Sequence, residues 1–361
     1  MKVRGALMIV KEYGYEYDAS YDALLWEKTK GQVARDTLWG AICLRSGRDT
    51  LKVIAREHEP TTVLMPALSC DSMVLPFKMY GHTIVYYCLT DDYKINIQQL
   101  TELVPEKKAL FLYMDYFGVS AIDDDGLNYL QQEYSNLIFV EDRTHNLIWK
   151  KERGFIADYT MASLRKWLNV PDGGLLWSKN PLIRNDYAED TSFYSIRLKA
   201  QCMRREFLFT GDETTKSSYR KIFSSVSNII DRDKQPSRMS AYSYQLAQKA
   251  NWDEIRHIRQ ENAGMLISIL KKANVNFIQP EAGHSDLYTA FKISNRNYKQ
   301  GKLLPKGIFN TIIWPLSEEQ KQACQVARTT DEMMLAAPCD QRYTVEDMKN
   351  IGYEMVRVFN E

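Results

Sequence analysis

The pattern of hydrophobic and polar positions changes along the chain near residue 180. Before that point, short apolar runs alternate with amphipathic stretches, which predicts strands alternating with helices. T-V-L-M-P, A-L-F-L-Y-M and N-L-I-F-V-E-D are typical of strands that are buried on both faces, and D-T-L-K-V-I-A-R-E-H is typical of a helix. The alternation predicts an α/β fold with a mostly parallel sheet between two layers of helices.

After residue 180 the pattern is typical of long helices, and W-D-E-I-R-H-I-R-Q-E-N-A-G-M-L-I-S-I-L-K-K is the clearest of them. L-Y-T-A-F-K-I, I-F-N-T-I-I-W-P and M-M-L-A-A-P then predict three strands. Thr344, with Asp347 three residues later, predicts the start of a final helix. We therefore expect an N-terminal arm (1–37), a large domain (38–250) and a small C-terminal α+β domain (251–361).

Composition and charge exclude several classes of partner. The chain has 361 residues, of which 45% are hydrophobic and 26% charged, as is ordinary for a globular protein. Lys and Arg number 47 and Asp and Glu number 46, so the net charge of +1 gives no reason to expect nucleic acid or an anionic membrane as partner. The apolar run before Lys11 is too short for a signal-peptide core, and no run approaches a membrane span. We expect a cytoplasmic protein.

Cysteines and histidines show no metal-binding pattern. The six cysteines are scattered without a C-x-x-C pair, which is typical of free thiols in a reducing compartment. The five histidines lack the spacing of metal ligands, so we expect no metal site.

Candidate chemistry lies where predicted strands end, because ligands of open parallel sheets bind beyond the carboxyl ends of the strands. Ser46 and Gly47 precede a predicted helix, so backbone N–H groups there could bind an anion, or Ser46 could only cap the helix. Asp142 ends the buried run N-L-I-F-V-E-D and needs a partner. That partner could be a protonated ring nitrogen, Arg143 or a nearby helix N-terminus.

Lys166, in S-L-R-K-W-L-N-V-P-D-G-G, is the third candidate. Its neighbours are apolar, so either its amine reaches the surface or it is kept inside, where a lowered pKa makes it a nucleophile. S-x-x-K also marks serine acyl enzymes, but their S-D-N and K-T-G companions are not in this chain. An anion site, a carboxylate for a ring nitrogen and an imine-forming lysine are together what pyridoxal phosphate requires of a protein.

These segments, in this order, resemble the fold-type I pyridoxal-phosphate enzymes of the aspartate aminotransferase superfamily, and within it the DegT/DnrJ/StrS-type sugar aminotransferases. The resemblance runs from about residue 40 to 355 and is most specific around the lysine. It implies a large domain with a seven-stranded type of sheet, a smaller C-terminal domain and a homodimer with active sites near the subunit interface. It also implies transfer of an amino group from an amino acid to a keto acceptor, with nucleotide-linked keto sugars as one acceptor class.

The resemblance also implies roles for single residues. Lys166 would form the imine with pyridoxal phosphate and later move the substrate's α-proton, and Asp142 would pair with the pyridine nitrogen. Gly173 and Gly174 would allow close backbone approach after the lysine. The further cofactor contacts are Ser46, Gly47, Arg48 and Ser163 at the phosphate, and Cys70 and His145 near the ring.

Several positions depart from the family pattern. Arg48 follows the small-Gly pair where many relatives have threonine, and it could bind the phosphate or point to solvent. Cys70 stands where many relatives stack an aromatic ring on the cofactor, a ring that Tyr116 or Phe117 could supply instead. The partner-subunit loop, here around Arg238, lacks the usual asparagine.

Three further interpretations stay open. Arg342 could bind a substrate carboxylate or form a structural salt bridge. The chemistry could be an elimination or dehydration, although related sugar dehydratases have histidine where this chain has Lys166. The chain could also be a non-catalytic member that keeps the fold for binding.

Overall fold

The computed structural model describes residues 10–20, 38, 40–148, 157–183, 186–283 and 287–361. The first described strand, β1 (Tyr13–Gly14), belongs to the N-terminal segment 10–20. It pairs in parallel with Ile308–Phe309 of the C-terminal region, so this segment lies against the C-terminal part of the molecule.

The central sheet has seven strands, and its strands and helices alternate as the sequence predicts. The strands are β2 (Ile42–Leu44), β3 (Thr62–Pro66), β4 (Thr83–Tyr87), β5 (Ala109–Met114), β6 (Leu137–Asp142), β7 (Tyr159–Ser163) and β8 (Gly174–Ser178), in the spatial order 2-8-7-6-5-3-4. Neighbours from β7 through β6, β5 and β3 to β4 are parallel, and β8 alone runs antiparallel to both of its neighbours. The predicted α/β class with a mostly parallel sheet is confirmed.

Both faces of the sheet are covered. Every residue of β5 and β6 is buried, which is why β5 is apolar throughout and β6 is apolar up to the two acids at its end. The helices of this part are α1 (Gly47–Arg56), α2 (Asp71–Met79), α3 (Ile97–Leu103), α4 (Asp124–Glu133), α5 (Thr191–Thr210), α6 (Glu213–Arg232) and α7 (Ala241–Lys249). No strand is predicted from the sequence over β7, although its central position between β6 and β8 makes it part of the site described below.

The C-terminal region is built on a second, antiparallel sheet. Its strands are β9 (Asn276–Phe277), β10 (Tyr288–Lys292) and β12 (Met334–Pro338), with β10 in the middle. Its helices are α8 (Trp252–Lys272), α9 (Arg296–Leu303), α10 (Glu318–Ala323), α11 (Gln325–Met333) and α12 (Val345–Phe359). The predicted start of the final helix is confirmed, because Thr344 and Asp347 form a capping box.

The strand predicted over I-F-N-T-I-I-W-P is wrong for most of its length. Only β11 (Ile308–Phe309) is a strand, and Thr311 adds one bridge to Ala336. Beyond that bridge the chain leaves the small sheet and crosses to the large one, where Trp314 lines a pocket. An apolar run can be buried in this way without being a strand.

The expectation that all six cysteines are free thiols is also wrong. Cys88 and Cys324 form a disulfide, with their Cα atoms 5.0 Å apart. Cys88 follows β4 of the central sheet and Cys324 lies between α10 and α11, so a covalent bond joins the two parts of the molecule across 236 residues of sequence. Scattered cysteines give no sign of such a pairing, because it depends only on where the fold brings the two side chains.

Among the helices of the described residues, none combines the length and the hydropathy that crossing a bilayer requires.

Candidate active site

The first turn of α1 forms one end of the site. Ser46 is the N-cap, with its Oγ accepting a hydrogen bond from the Asp49 N–H at 3.2 Å and donating one to Asp49 Oδ2 at 3.0 Å. Asp49 is fully buried and is held by Arg45, whose Nε lies 2.8 Å from Oδ2. Gly47 and Arg48 begin the helix, where backbone N–H groups have no partner within it. A buried ionic cluster therefore fixes a turn whose free donors and helix dipole favour an anion.

Gly174 allows this turn to lie against β8. A Cβ atom on Gly174 would be 2.3 Å from the carbonyl carbon and oxygen of Ser46 and 2.7 Å from the Gly47 nitrogen. Such distances are impossible for any residue with a side chain. The second glycine of P-D-G-G is thus required by the close packing of strand and turn, which the resemblance implied.

Arg48 turns towards α6 and borders the site instead of pointing to solvent. Its Nη1 and Nη2 lie 3.1 and 3.0 Å from Ser227 Oγ, and Nη1 lies 3.2 Å from Asp231. The guanidinium is therefore held beside the α1 turn by α6, and it adds positive charge at the same end of the pocket.

Asp142 ends β6 and is buried in the floor of the site. The described residue that donates a hydrogen bond to it is Thr144, whose backbone N–H lies 2.7 Å from Oδ1. Burial raises the pKa of the Asp142 carboxyl, while the Thr144 hydrogen bond and the charge of Lys166 act against the rise. The carboxylate is thus available to a cationic group that enters the pocket, since it forms no ion pair with any of the described residues.

Lys166 lies on a single 3-10 turn (Leu164–Lys166) directly after β7. Burial lowers the pKa of its ammonium, and the neighbouring Cys70 and Asp142 act in the opposite direction. Among the described residues, none accepts a hydrogen bond from its Nζ, and the side chain lines the pocket. A lysine whose pKa is lowered in this way loses its proton more readily, which favours the nucleophilic attack of its amine on a carbonyl.

The apolar neighbours of Lys166 pack behind it. Trp167 is fully buried and its Nε1 donates to the Thr144 carbonyl at 2.7 Å, which ties the lysine turn to the β6 loop. Thr144 Oγ1 also accepts the Ser163 N–H at 3.0 Å. On the other side of P-D-G-G, buried Asp172 accepts hydrogen bonds from the N–H of Ser240 at 2.8 Å and from its hydroxyl at 2.7 Å. These contacts fix the backbone on both sides of the lysine.

One pocket of about 550 Å³ brings the predicted residues together. All eight line it: Ser46, Gly47, Arg48, Cys70, Asp142, His145, Ser163 and Lys166. The sequence indicates no role there for Thr144, Arg165, Ile230 or Trp314, which also line it. Thr144 and Arg165 adjoin predicted residues in the chain, but Ile230 and Trp314 come from distant segments that no local pattern could connect to the site.

A second pocket of about 800 Å³ shares Arg165 and Lys166 with the first. Arg342 lies in this second pocket, but its Nε and Nη2 both donate to the Asp340 carboxylate at 2.8 Å, so it forms a structural salt bridge. Arg165 lies 3.4 Å from Glu16 of the N-terminal segment. Arg238 lines neither of these pockets and lies at the β2 edge of the sheet.

Comparisons with solved structures find the same architecture. Helicobacter pylori PseC, an aminotransferase involved in the biosynthesis of pseudoaminic acid, is 15% identical with a TM-score of 0.66, over 97% of this chain and all of PseC. A DegT DnrJ EryC1 StrS aminotransferase from Brucella abortus is 16% identical with a TM-score of 0.61, over 89% of this chain and 86% of that one. NtdA from Bacillus subtilis, with the cofactor PMP bound, is 15% identical with a TM-score of 0.64, over 89% of this chain and 73% of NtdA.

The sequence itself matches no family model, and no curated protein matches it significantly. The likeness is therefore one of three-dimensional structure, at identities where the fold is conserved and the sequence is not. The chain has the aspartate-aminotransferase-like fold of the DegT/DnrJ/EryC1/StrS sugar aminotransferases.

Proposed function

We propose that the protein is a pyridoxal-phosphate-dependent aminotransferase. The observation that carries this proposal is the convergence in one pocket of Lys166, Asp142 and the first turn of α1. These come from three separate segments, yet each contributes a different group that one cofactor would need: an amine, a buried carboxylate and a set of anion-binding donors. The fold supports the same conclusion, because its solved relatives are aminotransferases.

The residues present fit pyridoxal phosphate. Gly47, Arg48 and Ser163 would hold its phosphate at the α1 turn, where the first backbone N–H groups have no acceptor within the helix and a guanidinium lies alongside. Asp142 would pair with the ring nitrogen, because its buried carboxylate has Thr144 as its donor among the described residues and has no cation of its own. Lys166 would bind the aldehyde carbon, since its side chain lines the pocket and its amine donates to no acceptor among the described residues.

When bound, pyridoxal phosphate supplies an electron sink for breaking a bond at the amino-bearing carbon of the substrate. The protein's part is to place groups around that carbon. The free amine of Lys166 would take the proton from the α-carbon of the amino donor. In the second half of the transfer it would deliver a proton to the carbon of the keto acceptor that gains the amino group. Asp142 would stay ionised beside a cationic ring nitrogen, which fixes the charge that stabilises the reacting state.

The second pocket is the proposed approach for substrates, because it meets the first at Lys166 and Arg165. Arg165 places a positive charge where the two pockets meet, and its ion pair with Glu16 is long, with 3.4 Å between Nη1 and Oε1. It is therefore our candidate for contact with the carboxylate of the amino donor. We propose a keto sugar on a nucleotide as acceptor, supported by the sugar-related aminotransferases of the same fold.

We also keep four predictions about the whole protein. These are the division into arm, large and small domain at residues 37 and 250, a homodimer, the absence of metal from the site, and a cytoplasmic location. The Cys88–Cys324 disulfide is the observation that stands against the last of these, because disulfides are rare in a reducing cytoplasm.

Borohydride reduction of the protein incubated with pyridoxal phosphate tests the central assignment. We expect a pyridoxyl group on the peptide that contains Lys166, and none on Lys166→Arg. A label on another lysine would refute the assignment. A protein that gains no imine absorbance at all would favour the non-catalytic alternative.

Half-transamination then separates the two catalytic alternatives. With glutamate as donor, the aminotransferase should give pyridoxamine phosphate and 2-oxoglutarate in equal amounts. An elimination or dehydration enzyme should instead leave the cofactor in its aldehyde form and give neither product.

A further inference from the structure

We infer that Trp314 supplies the aromatic wall of the cofactor pocket, against which the pyridine ring lies. The inference rests on the proposed function and adds a residue to it that comes from the C-terminal half of the chain. Trp314 would take the stacking role of the aromatic residue that many relatives have at the position of Cys70.

The residues that line the pocket leave few choices for such a wall. Its rings within the described chain are the indole of Trp314 and the imidazole of His145. The aromatic candidates that follow from the sequence lie behind the pocket instead. Tyr116 is buried, with its hydroxyl donating to the Leu68 carbonyl at 2.7 Å, and Phe117 packs 5.8 Å from the His145 ring. The large apolar ring of the pocket is therefore that of Trp314.

The choice between a ring that faces the cofactor and one that faces the substrate depends on which of the two pockets Trp314 lines. The indole borders the pocket of Asp142, Lys166 and the α1 turn, but it does not line the second pocket, where we expect substrates to approach. A ring in that position faces the cofactor space. A wall for a substrate would be expected in the second pocket as well.

Other rings fix the orientation of the indole. Trp314 lies 5.5 Å from His145 with 38° between the ring planes, and 6.5 Å from Tyr116 in an edge-on arrangement at 68°. Separations of 4.5–7 Å are those at which aromatic pairs stabilise one another. Trp314 is half-buried by these neighbours, so its position in the pocket is set by the fold before any ligand binds.

The segment 313–324, which we call the strap, fastens this ring to the large sheet. Within it, buried Gln320 donates from Nε2 to the carbonyls of Ala67 and Ser69, at 3.0 and 2.7 Å. Cys324 ends the strap in its disulfide with Cys88. The strap is thus bonded to the loop that carries Cys70, so Trp314 and Cys70 are held at the same part of the pocket.

Fluorescence titration with pyridoxal phosphate tests the inference directly, without measuring activity. We compare the wild type with Trp314→Phe, Trp314→Leu and the control Trp177→Phe, which removes a tryptophan of β8 outside the pocket. An aromatic contact contributes an amount that corresponds to roughly 2- to 12-fold in Kd. We expect Trp314→Leu to raise the Kd by that factor, and Trp314→Phe, which keeps a ring, by less than about twofold.

Quenching of tryptophan emission gives a second readout. Bound cofactor should quench the wild type more strongly than either Trp314 variant, whereas Trp177→Phe should keep the wild-type Kd and the wild-type quenching at Trp314. If both Trp314 variants bind and quench as the wild type does, the inference is overturned and the proposed function stands. If the wild type takes up no pyridoxal phosphate and Lys166 carries no label after borohydride, both are overturned.

Discussion

Gly174→Ala is the sharpest test of how the fold builds the anion-binding end of the pocket. The added Cβ would lie 2.3 Å from the Ser46 carbonyl, where an ordinary contact begins at 3.4 Å, so strand and turn would have to separate by about 1 Å. Overpacking costs about 1–3 kcal/mol, and we expect the upper end because the atoms struck are backbone atoms that cannot rotate away. The free energy of unfolding should therefore fall by about 3 kcal/mol.

The same displacement should weaken cofactor binding. A shift of about 1 Å takes an N–H donor at the α1 turn from hydrogen-bond distance to beyond it, so we expect the Kd for pyridoxal phosphate to rise at least tenfold, or about 1.4 kcal/mol. Urea denaturation measures the first effect and equilibrium titration the second.

Gly264→Ala is the matched control. Gly264 lies within α8, and no atom of the described residues is near the added Cβ, so alanine there should stabilise the protein by about 1 kcal/mol and leave the Kd unchanged. The reasoning is refuted if Gly174→Ala unfolds at the wild-type urea midpoint. It also fails if the variant loses stability but binds pyridoxal phosphate with the wild-type Kd.

Three further predictions concern other parts of the molecule. Burial lowers the pKa of His58, which lies 3.1 Å from the Tyr159 hydroxyl, from 6.5 to about 4. The unfolded chain therefore binds more protons than the folded one between these values, so the contribution of His58 is complete above pH 6.5 and is lost as the pH falls to 4. We expect a loss of about 1 kcal/mol over this range in urea titrations, discounted for partial exposure. Reducing the Cys88–Cys324 disulfide should lower the free energy of unfolding by roughly 2–4 kcal/mol, because it closes a very long loop. Asp142→Asn should slow half-transamination about 10²–10³-fold, because the fixed charge beside the ring nitrogen is removed.

Each of these has its own control. His58→Gln should show a shallower loss of stability from pH 6.5 to 4, and an unchanged slope would contradict the assignment. The Cys88→Ser and Cys324→Ser double variant should match the reduced wild type and show no further response to reductant. Asp142→Asn should still be labelled at Lys166, so loss of the label would mean that the substitution disturbs the pocket and not only its charge.

The order of strands and helices could be predicted from the sequence because it follows from local periodicity. β5 and β6 are buried on both faces, and their sequences are apolar except for the two acids that end β6, so their type and approximate bounds follow from the residues themselves. The same reasoning failed for the run around Trp314, since burial against the large sheet produces the same apolar pattern as a strand.

The residues of the candidate site also fall into two groups, those that a local sequence pattern marks and those that only the fold brings to the site. Ser46, Asp142 and Lys166 could be singled out because each combines a chemical group with a local position, a strand end or a helix start, that points to a use. Trp314 and the Cys88–Cys324 pair carry no such local mark. Their importance comes from neighbours far away in the chain, because His145, 5.5 Å from the Trp314 ring, is 169 residues before it, and Cys88 is 236 residues before Cys324.

The residue pattern alone establishes the α/β class, the chemical groups available to the site and their order along the chain. The tertiary structure alone decided that Lys166 and Asp142 share one pocket with the α1 turn, and that Arg342 is occupied by Asp340. It also brought Trp314 of the strap to the pocket that Cys70 lines. The physical reason is that periodicity and capping act over a few residues, whereas desolvation, ion pairing and ring contacts depend on distances that only the folded chain sets.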